Sequence, residues 1–240
     1  MTSSGQNAVL SPRLQGLEGA RASTSQPMEA GASRVLPDKP VSLRGMPNEK
    51  LVFAQSVEAL FVRSLGPHLT SEARRLLRGV GLDLSEPLRP AYPLEQWRTF
   101  LRAVAPDVFP KASPDAAYFG LGERYVQGYR QSAVGRASMA LVAHLGPRGT
   151  LERVSHGARA GNNFNEARVK ELGNREATLW MKDVTADNPF FACGFLAETL
   201  RGSGVVDIHV EPVAFDGTAA TFRLTWELAP RRPVVAAAVG

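Results

Sequence analysis

Apolar positions recur three and four apart from about residue 50 to about residue 155 and two apart through most of the rest. After a short extended LVFA at residues 51–54, SVEALFVRSLG places Val57, Leu60, Phe61 and Leu65 on one helical face, and Gly66-Pro67 ends it. TSEARRLLRGVG follows, with Thr70 as N-cap and Gly79 or Gly81 as stop. A third helix starts at Pro93 and repeats Leu94, Trp97, Leu101 and Val104, the spacing of a buried stripe. Ser113 and Pro114 open the longest helical stretch, where Tyr118, Leu121, Tyr125, Tyr129, Ala133, Ala137 and Leu141 continue one face. Gly120, Gly122, Gly128 and Gly135 interrupt it, each costing about 1 kcal/mol relative to Ala in a helix interior. Close approach of another element, room for a ligand, or a break near Gly135 would offset that cost. Close packing combined with a break is the expectation.

Beyond Gly146-Pro147 a short helix covers LERV, and then period two takes over. Residues 157–172 and 175–184 flank Gly173-Asn174, a two-residue hairpin turn. Next comes an apolar helix, FFACGFLAETLR, with Asn188 as N-cap, Pro189 at the first helical position and Gly202 and Gly204 at its end. It feeds a second hairpin around Asp216-Gly217. There Val206, Ile208 and Val210 alternate with Asp207, His209 and Glu211, and Phe222, Leu224 and Trp226 with Thr221, Arg223 and Thr225. Phe195 and Leu224 are expected in the core. Pro212 cannot donate to a ladder and so marks an edge or a bulge. Helices followed by two hairpins that bracket a helix predict an α+β fold: a four-stranded antiparallel sheet covered on one face by helices.

Composition sets the boundaries. Residues 1–48 are rich in Ser, Gly, Ala, Pro and Gln, with too little apolar periodicity to offset the entropy of ordering. The expectation is a disordered tail at 1–48, one α+β domain at 49–228 and a second disordered tail at 229–240. The isoelectric point near 9.7 invites a nucleic-acid partner. Between Glu49 and Glu227, however, 21 lysines and arginines face 20 acidic residues, so the excess lies in the tails and no cationic face for phosphate is expected. Arg74, Arg75 and Arg78 read as a solvated helix face. A single cysteine, Cys193, excludes an internal disulfide framework, and its apolar surroundings suggest a buried core residue rather than a thiolate. The opening residues hold no apolar signal segment and VVAAAV near the end is too short to span a bilayer, which predicts a cytoplasmic protein without a membrane span.

Signatures of the well-marked enzyme classes are missing: no G-x-G-x-x-G, no G-x-x-x-x-G-K-[ST] and no G-x-S-x-G. His68, His144, His156 and His209 lack Cys partners and metal-ligand spacing, and Asp207, His209 and Glu211 fit the wet face of the hairpin better than a metal site. The informative residues are Tyr118, Tyr125, Tyr129 and Arg136 on the long helix, Asn162, Asn163 and Asn165 in the loop after it, and Trp180 on the following strand. Between helix and sheet they would line a mostly apolar cavity with a few polar groups, the usual character of a small-ligand site. The plainer alternative is a packed core with tyrosine hydroxyls at the surface and asparagines in turns.

GERYVQGYRQSAVGRA at 122–137, GARAGNNFNEARV at 157–169, FFACGFLAETLRGSGV at 190–205 and the strand TFRLTW together resemble an uncharacterised paralogous family described from myxobacteria, over about Leu51 to Trp226. That family has no established activity to carry over. In layout the chain is more distantly similar to the heme-based nitric-oxide-binding domains and the related vinyl-reductase-type small-ligand domains. The heme group uses a Tyr-x-Ser-x-Arg motif on the propionates. Tyr129-Arg130-Gln131-Ser132 departs from it, and no proximal histidine is identifiable, so no heme or other cofactor is expected. The resemblance implies a non-enzymatic regulatory or sensory module binding a small apolar molecule between the long helix and the sheet. Two alternatives stand beside it: a protein-interaction scaffold with a solid core and a recruiting N-terminal arm, and an enzyme without recognisable motifs, with Tyr129 and Arg136 as its first candidates.

Overall fold

The apolar faces in the first half of the chain leave water only by packing on one another, and the computed structural model, which describes residues 49–228, shows how they meet. β1 (Leu51–Phe53) pairs antiparallel with β2 (Ala91–Pro93), a strand the sequence pattern did not announce. α1 (Ala54–Val57) continues into a π-helical stretch, Glu58–Ser64, and buries Val57, Leu60, Phe61 and Leu65 completely. α2 (Ser71–Gly79) is capped by Thr70, whose hydroxyl accepts the Ala73 N–H at 3.0 Å. Arg75 and Arg78 pair with Glu72 and Asp83, and Arg74 donates to the Gly66 carbonyl, so this face is satisfied locally. α3 (Leu94–Val108) lays Trp97, Phe100, Leu101 and Val104 into the helical core, where Phe61 meets Trp97 and Phe100 edge-to-face.

The long helical stretch breaks at Gln131–Ser132 into α4 (Pro114–Arg130) and α5 (Ala133–Gly157). Ser132 accepts the Gly135 N–H at 2.9 Å and so caps the new helix. The single face expected to run from Tyr118 to Leu141 ends there, and Ala133 and Ala137 are exposed. α5 is itself kinked at Gly146, whose φ of 66° and ψ of −176° an L side chain would resist, with Pro147 next. α6 (Phe190–Arg201) begins where Asn188 accepts the Phe190 N–H at 2.9 Å. One of the interrupting glycines meets a glycine of another helix: α4 crosses α6 with Gly122 against Gly194. A Cβ on Gly122 would lie 2.7 Å from the Phe195 nitrogen and closer still to the Phe191 carbonyl oxygen. One on Gly194 would meet the Phe119 carbonyl carbon at 2.8 Å and the Glu123 nitrogen at 3.1 Å.

β3 (Glu166–Leu172), β4 (Glu176–Lys182), β5 (Val205–Phe215) and β6 (Ala220–Leu228) form the expected antiparallel sheet, in the order β3-β4-β6-β5. In the first hairpin the Gly173 N–H bonds to the Glu176 carbonyl at 2.9 Å, which moves the turn tip to Asn174-Arg175, one residue on from the expected place. β5 carries a bulge at Asp207, φ 50°, where the register against β6 slips between Val206 and His209. The slip buries Val205 and leaves Val206 40% exposed, opposite to a strict alternation. Pro212 sits on this edge strand beside a second slip, as its missing N–H requires. Asp207 and His209 are exposed on the outer side and Glu211 is half-buried there.

The inner face, from Ala177, Leu179 and Met181 to Phe222, Leu224 and Trp226, packs on Cys193, Leu196, Ala197 and Leu200 of α6 and on Leu151 of α5. This second core is separate from the helical one, and Phe190 touches both. The tails expected to be disordered, 1–48 and 229–240, lie outside the described residues. Among the described residues no helix is long and apolar enough to cross a membrane.

Candidate functional site

The two cores do not close on each other. Between them lies a cavity of about 620 Å³, within the range of roughly 300–1,000 Å³ that ligand pockets occupy. Tyr125, Val126 and Tyr129 of α4 form one wall, Phe191, Ala192 and Phe195 of α6 another, and Leu141, Val142 and Leu145 of α5 a third. Trp97, Met181, Thr185 and, from the loop after α5, Ala160, Gly161, Asn162 and Asn165 also line it. Leu141 and Leu145 are 42% and 41% exposed, large aliphatic side chains bordering space rather than other side chains. Glu152, Arg153 and His156, all exposed members of the lining, mark the side open to solvent.

Inside the charged side chains of the open side, several neutral polar groups of the lining hold partners within the chain, while the buried Trp97 Nε1–H has none. Ser56 donates to the Gly161 carbonyl at 3.0 Å and lies 3.1 Å from the Tyr125 hydroxyl. Thr150 donates to the Gly146 carbonyl and Thr199 to the Phe195 carbonyl, each at 2.7 Å, the bond back to residue i−4 that helical hydroxyls make. Asn162 Oδ1 accepts the Phe164 and Asn165 N–H groups at 3.1 and 2.7 Å, and Asn165 Nδ2 donates to the Asp183 carbonyl at 3.1 Å. Burial pushes the Tyr125 phenol above its ordinary value, the Ser56 hydrogen bond acting weakly against it, so the ring stays uncharged at neutral pH. Cys193 lies in the sheet core, outside the cavity lining, and burial pushes its thiol up to about 12, which leaves no reactive thiolate.

Of the residues singled out from the sequence, Tyr125, Tyr129, Asn162 and Asn165 come together in the cavity wall. Four others do not. Tyr118 is buried in the helical core, about two turns too early on α4 to reach the cavity. Arg136 falls beyond the helix break, is exposed, and donates to the Gln131 carbonyl at 2.7 Å. Asn163 points the other way from Asn162 and anchors β1, accepting the Leu51 N–H at 2.8 Å and donating to the Glu49 carbonyl at 2.9 Å. Trp180 alternates with buried Leu179 and Met181 and therefore faces the outer side of the sheet, where the Arg168 guanidinium sits 5.6 Å from its ring centre. Sequence reasoning missed Ser56, Thr150 and Thr199. The available signal was a small hydroxyl residue at a buried helical position, which needs a carbonyl to satisfy it. Among the described residues no group of His, Cys, Asp and Glu side chains could hold a metal ion.

Residues 50–227 match the family described as "Protein of unknown function (DUF2378)". No curated protein matches the chain. Solved structures of H-NOX proteins share its fold. A Cs H-NOX carrying 4-cyano-L-phenylalanine at site 5 aligns with a TM-score of 0.51 and 11% identity over 76% of this chain and 98% of that one. A doubly substituted Tt H-NOX gives 0.51 and 11% over 75% and 98%. A structure described as "Modulating Heme Redox Potential Through Protein-Induced Porphyrin Distortion" gives 0.52 and 12% over 71% and 98%. At these identities the likeness is one of fold.

Proposed function

We propose that this chain, which belongs to the family described as "Protein of unknown function (DUF2378)", is a non-enzymatic sensory or regulatory module that holds a small, largely apolar molecule between α4, α5 and α6. The observation that carries the reading is the cavity itself: aliphatic and aromatic walls with polar groups set among them, charged side chains at the open side, and large side chains left bordering empty space. The likeness in fold to H-NOX proteins supports a ligand-holding scaffold. Catalysis is disfavoured because the protons of Ser56, Thr150 and Thr199 all go to backbone carbonyls, so none is paired with a general base. An uncombined, buried Cys193 accords with a reducing, cytoplasmic setting.

A heme is not part of this proposal, because the lining does not suit one. Its two propionates need cations, and the one arginine lining the cavity, Arg153, is exposed at the mouth. Arg130, of the Tyr129-Arg130-Gln131-Ser132 run, is held by Glu198 through its carboxylate at 2.5 Å and its carbonyl at 2.7 Å. Reconstitution with hemin is expected to give no sharp one-to-one Soret band. Native mass spectrometry of the gently purified full chain tests the main reading. The expected result is a non-covalent adduct of a few hundred daltons that denaturation releases. A bare mass, with no shift in melting temperature across a panel of lipophilic small molecules, overturns it.

A further inference from the structure

The hydrogen-bond directions at Tyr125 restrict what the cavity can hold. Ser56 has one hydroxyl proton, and the Gly161 carbonyl oxygen 3.0 Å away can only accept, so that proton is committed there. At the 3.1 Å contact between the Ser56 and Tyr125 hydroxyls, the tyrosine must then donate. Tyr125 has no second proton. Its phenol oxygen therefore offers only lone pairs, at a cavity wall where Ser56, Tyr125 and Gly161 are all lining residues. Thr150 and Thr199 repeat the pattern, each proton taken by the carbonyl four residues before it. The hydroxyls of Ser56, Tyr125, Thr150 and Thr199 thus accept rather than donate, and the one arginine in the lining, Arg153, stands at the open side.

We propose that the cavity selects an uncharged lipophilic molecule that donates a hydrogen bond, an alcohol or a secondary amide, whose O–H or N–H is accepted by the Tyr125 phenol oxygen while its hydrocarbon lies against Leu141, Val142, Leu145 and Phe195. This rests on the cavity being a ligand site. It adds a polarity that apolar walls alone do not impose: acceptor-only ethers leave the phenol lone pair unmatched, and carboxylates bring a charge to a wall of lone pairs.

Calorimetric titration of the full chain with decanol, nonyl methyl ether and decanoate at pH 8 reads the polarity at constant chain length. Decanol is expected to bind about 2- to 12-fold more tightly than the ether, the equivalent of one net hydrogen bond, and roughly tenfold or more above decanoate. Tyr125→Phe should remove the preference for decanol over the ether. Ser56→Ala is the sharper variant: it frees the tyrosine proton to donate, so the ether should gain affinity and the preference should shrink or invert. A purely structural serine would weaken all three compounds together. Ether or decanoate binding the parent protein as tightly as decanol overturns the polarity and leaves the ligand site standing. No binding of any of the three overturns both.

Discussion

The crossing of α4 and α6 is the joint on which both the fold and the cavity depend, and it can be tested with a methyl group. A Cβ on Gly122 would press on the backbone of Phe191 and Phe195, and one on Gly194 on the backbone of Phe119 and Glu123. Neither obstacle is a side chain that can swing aside, so the helices themselves must separate. Overpacking of this kind costs about 1–3 kcal/mol, and backbone contacts belong at the upper end. Replacing Gly by Ala in a helix returns about 1 kcal/mol of propensity. Gly122→Ala and Gly194→Ala should each lose about 2 kcal/mol, a fall in melting temperature of roughly 4–8 °C for a domain of this size. Because both methyls force the same pair of helices apart, the double variant should lose less than the sum. Gly79→Ala is the control: a Cβ there meets nothing within 4 Å, so it should be neutral or gain up to about 1 kcal/mol. Thermal and urea denaturation measure all four. Either crossing variant melting at or above the parent refutes the close-approach argument.

Two further outcomes follow from where side chains lie. Leu224→Ala should cost about 2–5 kcal/mol, because that side chain is wholly enclosed, whereas Phe195→Ala should cost only about 1–2 kcal/mol, since it borders the cavity and its loss enlarges existing space. Urea melts that rank the two equally would contradict the placement of Phe195. For Cys193, the folded thiol sits near 12 and the unfolded one near 9, so its contribution to stability is complete below about pH 9 and declines as pH rises toward 12. Between pH 8 and 10.5 the parent should therefore lose more stability than Cys193→Ala, and a thiol reagent at pH 8 should label Cys193 only after unfolding.

Elements that owe their form to their own periodicity were legible. Thr70 and Ser113 each cap a helix from the expected place, whereas α6 starts one residue later than expected, with Pro189 at the N-cap and Asn188 before it, and the glycine-rich stretch both breaks and packs closely. Features decided between elements were not. The bulge at Asp207 depends on how β5 must meet β6, and it exchanges Val205 for Val206 at the core although the local pattern reads equally well either way. The same holds in the cavity. Tyr125 and Asn162 could be named as polar groups among apolar neighbours, but Ser56 belongs with them only through the carbonyl of Gly161, 105 positions along the chain. Arg136 lies beyond a break that Ser132 makes, so it does not share the face of Tyr125 and Tyr129, and Trp180 faces outward because it alternates with buried Leu179 and Met181.

α5 shows why the cavity persists and how an occupant would be felt. Among its 25 residues only Gly135, Val142, Thr150 and Leu151 are buried, and its two halves join at Gly146 with space around that residue. Elsewhere apolar faces are spent against one another, but the inner face of α5 has Leu141 and Leu145 turned toward a void, so the helix holds its place with little packing. A molecule filling the void supplies the missing contacts chiefly to α5, since the sheet core is already closed on α6. Binding at 100 times its dissociation constant adds about 2.7 kcal/mol to stability. Local opening of α5 should respond before the global transition does, because segments with few buried contacts open at lower free energy. Hydrogen exchange with and without saturating decanol should therefore slow most in residues 133–157 and least in β4 and β6. Equal slowing in α5 and the sheet would mean that the occupant acts on the whole domain, and that α5 is packed as firmly as the rest.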